Sequence, residues 1–427
     1  MTIPWLTILA LLPAAGAVLL IFTGVKVAKQ VALVASLITF AFALVVATQF
    51  TPGGGMQLAE QTPWIKPLGA YYALGLDGLG LTLVLLVVII TPVVIIASWR
   101  DFDTPAESVD GSPAADTAST GAATIAPKYD SRVFFALVLA VQSCALYLFL
   151  ATDVFLFYVF FEVILVPMYF LIGGFGPGPR RTYAAAKFLI FGLLGGFVML
   201  ASVIGLYVQS ARVGEPSYLL STLSQLDFAT GTGRWLFVGF MFAFAIKAPL
   251  VPLHTWLPDA AEESTAGSAT MMVGVMDKIG TFGMIRFCLG LFPEASQWAT
   301  PVVLVLATIS ILYGAILAIG SRDIMRFIAY TSISHFGFIV LGIFAFTSQS
   351  LTGSTLYMLN HGMSTAALFV MAGYLIKRRG SRDINAYGGV DKVAPVLAGL
   401  LLFAGLSTLS LPGLSSFVSE FMVLAGT

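Results

Sequence analysis

The sequence predicts an all-α, polytopic membrane protein, and three observations carry that expectation. Of the 427 residues, 58% are hydrophobic and only 10% are charged, where soluble domains carry about 25% charged residues. Mean hydropathy is +0.96. Apolar runs of about 20 residues, long enough to cross a hydrocarbon core of ~30 Å as helix, recur along the chain. They place twelve spans, at 4–22, 30–49, 79–98, 132–150, 154–174, 182–208, 234–252, 266–290, 299–319, 323–346, 353–376 and 394–425. A formal net charge of zero argues against nucleic acid as a partner.

The opening stretch MTIPWLTILALLPAAG lacks the basic start of a cleaved leader, so span one is expected to be retained. Spans one to three are uniformly apolar and carry no chemistry. Asp101–Asp130 is rich in Ala, Ser, Thr, Asp and Pro. It has too little apolar surface to fold alone and is expected to be a disordered loop.

Basic residues alternate between loops. Lys26 and Lys29 follow span one, and Arg100, Lys128 and Arg132 bracket the loop after span three. Arg180 and Arg181 follow span five, Arg322 and Arg326 span nine, and Lys377, Arg378, Arg379 and Arg382 span eleven. The opposite loops hold Lys66, Arg212 and Arg234. By the positive-inside rule the odd-numbered loops are cytoplasmic and the N-terminus lies outside.

Span four carries Cys144, and Cys288 stands alone in span eight. Two distant cysteines cannot supply the thiolates of an iron–sulfur cluster, and both read as buried thiols. No glycine-rich nucleotide fingerprint follows a strand, so redox cofactors are expected in other chains. Span five, DVFLFYVFFEVILVPMYFLI, places Glu162 near its middle, five residues before Pro167. Burial disfavours a lone carboxylate and a nearby lysine restores it, so Glu162 is either half of a helix-locking ion pair or a switchable proton carrier. Asp153 and Lys187, at opposite ends of spans five and six, read as interfacial anchors.

Span seven holds Lys247 inside FVGFMFAFAIKAPLVPLHTWLPDA, where Pro249 and Pro252 break the helix. A lysine at the bilayer centre costs roughly 2.5–3.5 kcal/mol. Broken helix at that depth is tolerated only where protein or a water-lined cavity satisfies it. Span eight brings a second lysine, Lys278. Snorkelling is the alternative for both, and two lysines in consecutive spans beside a break favour an ion or proton path. Asp277 points about 100° away from Lys278 and is left open between a supporting partner and a contact with a neighbouring subunit. Arg286 lies near the outer end of its span and reads as snorkelling. Asp259, Glu262 and Glu263 read as a solvated hairpin on the cytoplasmic side, where a proton could enter.

His254 follows the break in span seven and is divided between packing and function. His335, in YTSISHFGF, and His361, in MLNHGMSTAAL, sit beside Thr331, Ser332, Ser334 and Ser364. Hydroxyls can hold water beside a group that titrates near neutrality. No second histidine stands at i+3 or i+4, so a relay is expected and a metal site is not. Glu420, in LSLPGLSSFVSEFMVLAG, follows a second break, with Ser415, Ser416 and Ser419 beside it. Interrupted spans seven and twelve, each with an ionisable residue and running in opposite senses, are the pattern of an inverted repeat with its site near the midplane.

The runs AIKAPLVPLHTWLPDA, DKIGTFGMIRF, FYVFFEVILVPMYFLIGGFG and LPGLSSFVSEF resemble the antiporter-like subunits of respiratory complex I, which are similar to chains of multi-subunit cation/proton antiporters. The resemblance runs from span four to Thr427. It implies fourteen helices in the full protein and two inverted five-helix repeats with helices 7 and 12 broken. The sequence would then divide into 1–131 (three spans and the 101–130 loop), a first repeat at 132–290 and a second, truncated, at 299–427. Glu162, Lys247, Lys278, His335, His361 and Glu420 would form the proton relay, with glutamate at 420 marking the branch that carries it in place of lysine. Departures from the family pattern are Ala261, where histidine is common after LPDA, a missing Ala-Pro before span eight, and Asp277, where leucine is common.

By the same resemblance the chain would be a subunit of a proton-translocating NADH:quinone oxidoreductase in a bacterial inner membrane. It would have no cofactor of its own, flavin, iron–sulfur clusters and quinone lying in partner subunits, and sister antiporter-like chains on either side. The competing classes are a chain of a multi-subunit sodium/proton antiporter, for which lysine is expected at position 420, and a non-transporting scaffold, in which leucines could replace the buried charges.

Overall fold

The computed structural model describes residues 3–102 and 126–427. The expected 101–130 loop therefore falls, for 103–125, outside the described residues. Helix α1 (Trp5–Phe22) and α2 (Val25–Thr48) form an antiparallel pair. An antiparallel hairpin of β1 (Gln57–Ile65) and β2 (Ala70–Leu76) follows, which the span pattern did not foresee. Its Glu60 accepts hydrogen bonds from Leu6 N at 2.6 Å and Thr7 N at 3.1 Å, satisfying N–H groups at the start of α1 that have no partner within the helix.

Asp77 caps α3 (Gly78–Ala97), accepting from Gly80 N at 2.8 Å, and Asp130 caps α4 (Ser131–Leu150). Asp153 caps α5 (Val154–Val163), which continues as α6 (Leu165–Phe175). Then come α7 (Arg181–Val213) and the short α8 (Leu220–Leu223). Helix α9 (Thr230–Lys247) ends at the expected break, and α10 (Trp256–Glu262) completes that span.

The next span is assembled from α11 (Ala266–Ala269), a π-helical stretch Thr270–Met276, α12 (Lys278–Gly283) and a second π stretch Met284–Leu289. The long helices α13 (Pro293–Ile319), α14 (Ile324–Ile343) and α15 (Ser348–Arg379) follow. Helix α13 starts ahead of the expected 299 because Pro293 opens its first turn, where a missing N–H costs nothing. A single turn, α16 (Val390–Val393), leads into α17 (Pro395–Thr408), and after the second break α18 (Ser415–Gly426) ends the chain.

Among the described residues nine segments, α5–α6 counted as one, are long and apolar enough to cross a membrane without interruption. The three interrupted spans, α9–α10, α11–α12 and α17–α18, bring the architecture into line with the twelve expected. Both breaks lie where the proline signals put them. The basic end of the bundle gathers Lys187, Arg326 and Lys377; the other end carries the β-hairpin.

Candidate functional site

The break after α9 is satisfied by protein. The indole Nε1 of Trp256, on the far side of the break, donates to Ile246 O at 2.9 Å, and the Ser310 hydroxyl accepts from Val251 N at 3.0 Å. This holds Lys247 at the helix end, 2% exposed, with its Nζ 4.6 Å from the Phe161 ring centroid. Glu162 is half-buried and faces α7 at Gly196, where a Cβ would overlap its Oε1. Neither Glu162 Oε1 nor Lys247 Nζ has a hydrogen-bond partner among the described residues. The two side chains feel each other's charge without forming an ion pair within 4 Å.

Lys278 is fully buried. Its Nζ donates to Val273 O in the preceding π stretch at 2.6 Å and lies 2.8 Å from His361 Nδ1. A π turn commonly marks a functional position in a helix because it offers a carbonyl out of the regular ladder. An ammonium can only donate, so a protonated Lys278 makes Nδ1 the acceptor and puts the ring proton on Nε2. His361, fully buried, meets His335 edge to face at 5.4 Å between ring centroids, and His335 lies 5.9 Å from the Tyr357 ring. Tyr357 donates to Glu420 Oε2 at 3.2 Å. The structure therefore brings Lys278, His361, His335 and Glu420 into one succession, with Glu162 and Lys247 as a second cluster on the other side of α12.

Sequence reasoning missed Tyr357 and Asn360. Tyr357 fills the space between His335 and Glu420; its only signal was its place one helical turn before His361. Asn360 donates to Ser415 O at 2.7 Å and Ser419 Oγ at 3.2 Å, tying α15 to the start of α18. Asp277 is fully buried, which excludes contact with a neighbouring subunit, and neither carboxylate oxygen has a hydrogen-bond partner among the described residues.

Several charges do something other than expected. Asp153 is fully buried rather than interfacial, because it accepts from Leu156 N at 2.9 Å and Tyr71 N at 3.0 Å and so ties β2 to α5. Burial raises its carboxyl to about 6 against those hydrogen bonds. Lys187 does not snorkel: its Nζ meets Asp259 at 2.7 Å and Thr255 O at 2.8 Å. Arg326 meets the other Asp259 oxygen at 2.8 Å and Glu262 at 2.6 Å, and Arg382 donates to Glu262 O. The expected solvated hairpin is thus a partly buried ion network. Asp259 thus holds two cations at once, one on each carboxylate oxygen. Glu263 accepts from Arg180 N at 3.2 Å, and burial raises its carboxyl. Arg286 pairs with Asp77 at 2.7 Å rather than snorkelling. His254 is buried edge-on to Tyr313, a packing position. Cys144 and Cys288 are buried free thiols. Among the described residues no three His, Cys, Asp or Glu side chains cluster as a metal site.

The model of a family described as NADH:quinone oxidoreductase/Mrp antiporter, transmembrane, matches residues 151–427. The chain is 50% identical to NADH-quinone oxidoreductase subunit M of Mycobacterium tuberculosis (strain CDC 1551 / Oshkosh), over 100% of this chain and 79% of that one. It is 34% identical to subunit M of Escherichia coli (strain K12), over 100% and 81%. A chain in the structure of respiratory complex I from Thermus thermophilus with bound NADH superposes with a TM-score of 0.85 at 32% identity, covering 99% of this chain and 82% of that chain. A chain of the Mrp complex from Dietzia sp. DQ12-45-1b reaches 0.83 at 20% identity, over 99% and 43%, a likeness of fold. The Mycobacterium tuberculosis and Escherichia coli relatives both bear the name subunit M.

Proposed function

The chain belongs to the family of antiporter-like membrane subunits of NADH:quinone oxidoreductase and Mrp complexes, on the subunit M branch, and from that premise we propose that it moves protons along its buried Glu, Lys and His side chains, driven by redox chemistry in partner subunits. The observation that carries this reading is the Lys278–His361 contact at 2.8 Å, wholly buried and continued through His335 and Tyr357 to Glu420. A fully desolvated lysine facing a histidine nitrogen is a proton donor and acceptor already in register.

Charge arriving from a neighbouring subunit changes the field at Glu162 and Lys247. Opposite charges 4 Å apart attract by about 4 kcal/mol at an effective dielectric constant of about 20. Glu162 and Lys247 stand farther apart than that, so their attraction is smaller and an added charge can tip it. Lys247 then gives its proton toward Lys278, His361 and His335 relay it, and Glu420 delivers it beyond the chain. Water would complete the steps between clusters, since isolated buried polar groups in native proteins are commonly met by ordered water.

In this reading the chain is a translocase subunit with no redox centre of its own, and flavin, iron–sulfur clusters and quinone belong to its partners. Sister antiporter-like chains flank it in a bacterial inner membrane, with the basic end cytoplasmic and the N-terminus outside. Sodium/proton antiport in a multi-subunit complex is the second reading; the carboxylate at position 420, in place of a lysine, favours the first.

The test is Lys247→Ala and Glu162→Ala in the assembled complex, reconstituted in vesicles. Each is expected to lower proton pumping several-fold relative to electron transfer. Native pumping by a fully assembled complex carrying either change would overturn the relay.

A further inference from the structure

We infer that Asp277 is a relay carboxyl in its own right, the group that carries protons between Lys247 and Lys278. This inference rests on the proton-conducting reading above and adds a member to it.

Its position follows from the faces of α12. A Cβ at Gly280 would stand 2.5 Å from Ala248 N and 2.7 Å from Phe244 O, and Gly283 abuts the Phe244 ring. These two glycines therefore mark the side of α12 that meets the end of α9, where Lys247 sits. Lys278 and Thr281 mark the other side: they reach His361 and the Met358 sulfur on α15, each at 2.8 Å. At about 100° per residue, Asp277 projects about 60° from Gly280 and about 100° from Lys278, between the two faces. It also lies within electrostatic range of both Lys278 and Lys247.

Both carboxylate oxygens are buried and neither has a hydrogen-bond partner among the described residues. A structural aspartate uses its oxygens, as Asp77, Asp130 and Asp153 do at their helix starts. An unpartnered carboxylate in the interior is costly, and here it stands where a proton must cross. The step balances: Lys247 ammonium gives its proton to the Asp277 carboxylate, leaving a neutral amine and a carboxylic acid, and the acid then protonates the neutral Lys278 amine and returns to carboxylate. Without the carboxyl, the proton would have to cross from Lys247 to the neutral Lys278 amine with no titratable side chain between them.

The experiment is Asp277→Asn, Asp277→Leu and Asp277→Glu in the assembled complex in vesicles, beside Lys247→Ala and Lys278→Ala. Asn and Leu are expected to cut proton pumping per electron at least threefold, Glu to restore most of it, and the infrared difference spectrum between resting and turning-over complex to lose one carboxylic C=O band in Asn. Native pumping in Asn or Leu, with both lysine variants impaired, would overturn the bridge and leave the relay standing. Impaired pumping in Asn with an unchanged carboxylic band would also overturn it, making Asp277 a fixed counter-ion. Native pumping in both lysine variants would overturn the relay itself and the bridge with it.

Discussion

Gly196 fixes the aim of Glu162 by having no side chain. A methyl group there would overlap the Glu162 carboxylate, and that carboxylate is the free end of a flexible chain, so it can swing away at little cost to folding. Gly196→Ala is therefore expected to lower proton pumping several-fold while the thermal midpoint of the purified complex stays near native. A large loss of stability with normal pumping would contradict it. The ionisable residues themselves were legible in the sequence because a charge in an apolar run is costly and rare. Their partners were not. Tyr357 and Asn360 are ordinary helix residues until α18 packs beside them, and the direction of Asp277 depends on which neighbour each face of α12 meets. Arg286, Lys187 and Asp153 read as membrane-edge anchors because their partners Asp77, Asp259 and the backbone of Tyr71 are distant in sequence.

Among the elements, the two broken spans were readable because proline removes a backbone donor. What the sequence did not disclose is how the break is closed. The Trp256 indole reaches back across ten residues to Ile246 O, so Trp256→Phe keeps most of the packing and leaves a buried carbonyl without its donor. Such a loss costs about 1–3 kcal/mol, expected as a lowered thermal midpoint, with pumping reduced as Lys247 loses its fixed helix end. An unchanged midpoint would mean that another donor takes over. The π stretches flanking α12 escaped notice because the first, Thr270–Met276, is buried on every side and leaves no periodicity to read, and the second spans a single short run. The β-hairpin escaped because a short pair of strands between two long greasy runs, punctuated by Pro63, Pro67, Gly69 and Gly75, looks like a loop.

At the scale of the whole molecule, a helical bundle of many spans was legible from composition alone, whereas the fastening of the bundle was not. At the basic end Asp259 joins Lys187 of α7 to Arg326 of α14, bridging residues expected in different repeats. Asp259→Asn removes the anion from both pairs, and a lowered thermal midpoint of the complex is expected; an unchanged midpoint would remove the network from the explanation. The opposite end has its own fastening, in the Asp77–Arg286 pair and the grip of Asp153 on both β2 and α5. A bundle tied at both rims resists lengthwise sliding of its helices. Covalent staples across the two rims are therefore expected to leave turnover of the complex intact, and a staple that stops it would show that a rim must open.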